Sequence, residues 1–168
     1  AQRNINEIAK AGFDKFGIAQ PVFLNNLVNS MITDNKGAEA LALVKGEVEK
    51  NPENANLHGL LGFIYDRMEN DAESEAAYRK AASIADADYE TLLNSAKKIF
   101  RTGTEKWNLI EGNSAEAREQ RNNVKVNYFE AAKAIAEKAK AIRGDKPDNT
   151  LNYLLDSIQY NLDTYFQQ

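Results

Sequence analysis

The sequence predicts an all-α protein, and three observations carry that expectation. Apolar residues recur at spacings of three and four along most of the chain, the period of a helix with one buried stripe. The apolar-polar alternation of a half-buried strand is nearly absent. The Pro and Gly clusters, at Gly17 to Pro21, Asn51-Pro52, Gly112-Asn113 and Gly144 to Pro147, mark the ends of periodic segments. At 168 residues the chain can bury a proper core, and one domain is expected.

Taken in order, a first amphipathic helix over about residues 4–16 turns Ile5, Ile8, Phe13 and Phe16 inward. It reads as an N-terminal cap over the apolar edge of the helices that follow, or as the tail of an upstream helical pair. Gly17 to Pro21 breaks the chain, and helices follow at about 21–33 and 37–50. Asn51-Pro52 separates these from helices at about 54–69 and 71–85, and Asp86 to Asp88 is the next turn. Two long helices, about 88–111 and 114–143, are divided by Gly112-Asn113-Ser114, a stop followed by an N-cap. Asp148 or Asn149 caps a last helix whose Leu151, Leu154, Leu155, Ile158, Leu162 and Phe166 seal the far end.

The segment Leu61-Gly62-Phe63-Ile64-Tyr65, followed by Ser74-Glu75-Ala76-Ala77-Tyr78-Arg79-Lys80-Ala81, has a steric logic. Gly62 lets two helices approach where a Cβ would collide, and Tyr65, Tyr78 and Ala81 fill the space beside it. A step of 34 residues back from Ala55 lands on Pro21. There Leu24, Leu27, Ala40, Val44 and Pro52 take comparable slots, although Val28, Met31 and Glu47 stand where glycine, tyrosine and alanine are preferred. The central unit departs at His58, Ser74 and Asp86. A step forward lands on Tyr89, with Leu92, Ala96, Ile99 and Phe100 in the apolar slots. The alanines of its second helix (Ala132, Ala136, Ala139) come roughly 24 residues late against that period, about 12 for each helix. At the helical rise this projects the pair roughly 18 Å beyond its neighbours.

These units resemble tetratricopeptide (TPR) repeats, and the whole pattern resembles Bacteroidetes-type TPR proteins with an elongated third helical pair. The resemblance implies a right-handed α-solenoid of antiparallel helix pairs, about eight helices in all, with a projecting long hairpin. It divides residues 1–168 into a capping helix (1–20), units at 21–54, 55–88 and 89–147, and a terminal cap (148–168). In such proteins the first helices line a concave groove. Carried over by position, the groove residues are Asn25, Asn29 and Thr33, then Asn56, Gly59, Phe63, Asp66 and Arg67, then Glu90, Asn94, Lys97 and Arg101. Of these, Asn25, Asn29, Asn56, Phe63, Arg67, Asn94, Lys97 and Arg101 are the expected partner contacts. Asparagine amides pair with both N–H and C=O of an extended backbone, and the cations would hold a carboxylate. Family members that clamp a terminal carboxylate use a Lys/Asn/Asn/Lys/Arg set; the matching slots hold Asn25, Asn29, Leu60, Glu90 and Asn94, so that clamp is not expected.

Enzyme chemistry lacks its inventory. One histidine and no cysteine leave no zinc site of the usual Cys/His kind and no Cys-His pair. His58 occupies a packing slot, and Asp66, Glu69 and Asp71 read as solvated helix-end carboxylates. No Gly-rich phosphate loop is present, and Asp34 to Gly37 lacks the downstream glutamate of a calcium loop. No cofactor or metal is expected. A net charge of −4 without a basic cluster argues against nucleic acid, and no apolar run is long enough to span a membrane. Trp107 is expected to pack across the long hairpin near Val124 or Tyr128. The expected function is a non-catalytic scaffold that binds a peptide or protein through the groove, the hairpin or both. Self-association of solenoids in an envelope complex is the alternative. The Ala1-Gln2 start and the resemblance to exported proteins favour a periplasmic or envelope location over the cytoplasm.

Overall fold

The structure, a computed structural model, describes the backbone of residues 2–165 and the side chains of residues 5–165. Among these residues there is no strand, and eight helical rods follow one another. They are α1 (Gln2–Phe16), α2 (Pro21–Thr33), α3 (Gly37–Lys50), α4 (Ala55–Arg67), α5 (Asp71–Ser83), α6 (Tyr89–Asn108), one composite rod, and α9 (Asn149–Tyr165). The composite rod is α7 (Ala115–Val124), a π-helical stretch (Lys125–Glu130) and α8 (Ala131–Arg143). Phe166 lies outside the described residues.

The ends are fixed by local chemistry. Pro21 opens α2, where its missing N–H costs nothing. The side chains of Asn54, Asp88, Ser114 and Asp148 accept from the N–H groups of Leu57 (3.1 Å), Thr91 (2.8 Å), Ala117 (3.1 Å) and Leu151 (2.9 Å), each satisfying a donor the helix leaves open. Asp148 is therefore the cap of α9.

Each helix packs on its neighbour in sequence, and two apolar clusters result. In the first, Leu24 and Val28 of α2 and Ala40 and Val44 of α3 meet Leu57, Leu61 and Ile64 of α4. The second centres on Phe129 in the π stretch, which is fully buried against Phe100, Trp107 and Tyr165 at centroid distances of 5.7, 6.4 and 6.1 Å. Ala132, Ala136 and Ala139 keep α8 thin where it lies on α6 and α9.

Three expectations change. Ile5, Ile8 and Phe16 do not face inward: they are 52%, 58% and 44% exposed. Helix α1 meets α2 along Ala9, Gly12 and the partly buried Phe13, with the ring of Phe23 directly against Gly12 and the otherwise exposed Phe16 stacked on that ring at 5.7 Å. That close line of approach leaves the flanking isoleucines outside the contact. The long hairpin, in turn, is not bare along its full extension. Trp107 stacks flat on Tyr165 of α9, with centroids 4.6 Å apart, so α9 covers the base of the extension. Further out Leu109 is 81% exposed, while Ile110 still packs on the core and Ala117 is buried. The expectation of one uninterrupted α-helix over 114–143 also yields to the π stretch. There the partner side packs tightly: a Cβ on Gly103 of α6 would stand 2.5 Å from Cβ of Tyr128.

Candidate functional site

Helices α2, α4 and α6 share one face, and between them lies a cleft of about 340 Å³. Asn25 and Asn29 line it from α2, Asn56, Gly59, Leu60 and Phe63 from α4, and Glu90, Thr91 and Asn94 from α6, with Tyr78 of α5 behind. At Gly59 a Cβ would lie 3.5 Å from Thr91 Cγ2, so α4 and α6 are in ordinary contact distance there. The Asn56 amide donates to Asn25 Oδ1 at 3.3 Å, a long bond at the cleft wall. Among the described residues, the side-chain amides of Asn29 and Asn94 make no hydrogen bond and remain available for one. Burial, reinforced by the charge of Asp66 and opposed by Arg101, pushes the Tyr78 hydroxyl up to about 12, so it stays neutral.

The eight expected contact residues therefore divide. Asn25, Asn29, Asn56, Phe63 and Asn94 come together in the cleft, although they derive from three helices far apart in sequence. Arg67, Lys97 and Arg101 are exposed and do not line it. Arg101 is turned to Asp66 and approaches Glu105 at 3.9 Å. Asp66 and Asp71 are not simply solvated helix-end carboxylates. Both receive the ammonium of Lys98, at 2.8 and 2.7 Å, and the Lys98 side chain is only 3% exposed. Burial alone would push Lys98 down, but the bonds to Asp66 and Asp71 reverse this and raise it. Burial acts to raise Asp66 as well, and Lys98 and Arg101 together overcome it and hold the carboxyl below its usual value. The network ties α4, α5 and α6 together beside the cleft. Its signal was present in the sequence: Thr91, Ser95, Lys98 and Thr102 form one buried column of α6, spaced by four, three and four.

At the other end of α6 the Tyr89 hydroxyl donates to Asp148, whose second neighbour is Arg143 at 3.7 Å. Burial first, then this bond, moves Tyr89 up to about 12. The clip fixes α9 to α6. His58 Nε2 lies 2.7 Å from the Pro52 carbonyl, holding the turn before α4. Trp107, its ring on Tyr165 and Phe129 with Arg121 at 5.6 Å, serves the hairpin base.

Chemically the cleft offers amides, hydroxyls, apolar and aromatic surface, and one carboxylate. Among the described residues no three His, Cys, Asp or Glu side chains converge as metal ligands, and no helix is long and apolar enough to cross a membrane. No family model, curated protein or solved structure matches the chain.

Proposed function

We propose that the protein is a non-catalytic binding module of the TPR kind, a right-handed solenoid of antiparallel helix pairs that holds an extended segment of a protein partner against α2, α4 and α6. The observation that carries this reading is the convergence of Asn25, Asn29, Asn56, Phe63 and Asn94 on one cleft. Groups that can pair with a peptide backbone face one concave space with a half-buried aromatic ring among them. The resemblance to exported proteins adds a periplasmic or envelope setting, which fractionation of the native host would test.

Site-specific photocrosslinking tests the binding reading. A benzophenone side chain placed at Asn94 should capture a partner in the native host, whereas the same group at exposed Lys138 on α8 should not. Equal capture from both positions would overturn it.

A second reading, association of copies end to end, draws on the exposed Ile5 and Ile8 at one end and Tyr153 and Tyr160 at the other. Sedimentation at high concentration decides it: a species that stays at the 18.8 kDa of one chain removes it.

A further inference from the structure

The cleft carries a single charged side chain, Glu90. Its other polar lining is neutral: four asparagines, Thr91, and a Tyr78 hydroxyl that burial keeps protonated. Glu90 is exposed at the mouth of the cleft, and among the described residues no lysine or arginine reaches it. The cations further along the lining helices do not line the cleft, Arg67 and Lys97 being exposed outside it. Lys98 is buried between Asp66 and Asp71, and Arg101 is spent on Asp66.

We propose that this cleft selects a basic extended segment, one that sets a lysine or arginine against Glu90; the proposal rests on the peptide-cleft reading above. The geometry gives each part of such a segment a counterpart. Asn29 from α2 and Asn94 from α6 face its backbone with unused donors and acceptors. The half-buried ring of Phe63 in the lining gives apolar contact for the aliphatic stem of the long basic side chain. Glu90 then receives the ammonium or guanidinium in a charge-assisted hydrogen bond. An acidic segment meets the opposite situation, because a concave wall strengthens the repulsion between like charges.

The test is selection of random peptides, about a dozen residues long and displayed on phage, against the immobilised full chain. The comparison chain is Asn29→Trp, which fills the cleft from an exposed position without changing the charge. Recovered sequences are then synthesised and measured by fluorescence anisotropy on wild type, Asn29→Trp, Glu90→Gln and Glu90→Lys. Enrichment of lysine or arginine at one position, about tenfold weaker binding to Glu90→Gln and none to Glu90→Lys supports the proposal. Peptides that need the open cleft but show no basic position, or bind Glu90→Gln as well as wild type, overturn the charge preference and leave the cleft reading standing. Peptides that bind Asn29→Trp as tightly as wild type overturn both. Melting curves accompany each variant, and Asn94→Trp, at another exposed cleft position, replaces Asn29→Trp if that chain does not fold.

Discussion

Gly62 of α4 lies so close to the ring of Tyr78 on α5 that a methyl group at this glycine would stand 2.7 Å from Cδ2. The contact is sealed from the side by Ser74, whose hydroxyl donates to the Gly62 carbonyl at 2.9 Å. Gly62, Ser74 and Tyr78 are all buried, which holds the ring against the helix interface.

An alanine in a helix normally improves on glycine by about 0.5–1 kcal/mol. At position 62 the sign reverses. Gly62→Ala should cost about 1–3 kcal/mol, because the Tyr78 ring must shift within a packed interface. Gly46 of α3 is the control: nothing lies within 4 Å of its Cβ position, so Gly46→Ala should stabilise by about 0.5–1 kcal/mol. Urea denaturation of the two variants should move the midpoint in opposite directions.

The Lys98 network predicts an asymmetry. Asp66→Asn leaves a buried ammonium with less compensation and should cost about 1–3 kcal/mol. Lys98→Met, of similar volume and without the charge, should be close to neutral, since Asp66 keeps Arg101. The pH dependence follows from the two directions. Asp66 is held below its usual 3.8, so its contribution is complete above about pH 4 and is lost as pH falls through the lowered value. Lys98 is raised above 10.5, so its contribution is complete below that and is lost as pH rises through the raised value. Denaturation at pH 7 and pH 3 should show a smaller acid loss in Asp66→Asn than in wild type.

The single tryptophan reports on the hairpin base. Tyr165→Ala removes the ring stacked on Trp107 and should shift its fluorescence emission to the red, with the far-ultraviolet helix signal retained. Hydrogen exchange should divide the hairpin at the same level. Amides around buried Phe129 should be protected, and those of the exposed residues near the tip, about Glu111 to Gln120, should exchange much faster.

The cations outside the cleft give a last contrast. Arg67→Glu with Lys97→Glu changes exposed positions and should alter stability by no more than about 0.5 kcal/mol each. It should also leave partner capture at the cleft intact. Arg101→Glu places a carboxylate beside Asp66 and should cost about 1 kcal/mol or more. Pull-down and urea denaturation of the two variants separate binding from folding.

The helices were legible because each bears a cap or breaker next to a periodic run: Asp88, Ser114 and Asp148 lie at the positions from which their side chains reach the third residue on. The five cleft residues came from the resemblance to TPR repeats, carried over by position, and the same step also offered Arg67, Lys97 and Arg101, which do not line the cleft. What stayed hidden was pairwise. Periodicity places Lys98 on a buried column, but only the fold brings Asp66 and Asp71 to it. Likewise α1 has a good apolar stripe, yet Phe23 chooses Gly12 as its seat and leaves Ile5 and Ile8 outside. Nothing in Lys125 to Glu130 marks a change of helical type, because the cause is the fit of Phe129 and Tyr128 against another rod.

That π stretch amounts to one residue more than an α-helix would use over the same rise. Each residue of an α-helix turns the chain by about 100°, so everything N-terminal to Lys125 is rotated by about that much relative to α8. The compass bearing of the hairpin tip is thus set by a single residue, while its length is set by whole turns elsewhere. Deleting one residue here would restore an α turn over the same rise and leave Arg118 and Glu119 facing as they do, whereas a substitution that returned all six residues to an α-helix would swing them by about 100°. The extra residue is thus a phase correction: it sets which side of the outer rod is presented, not how far the rod reaches.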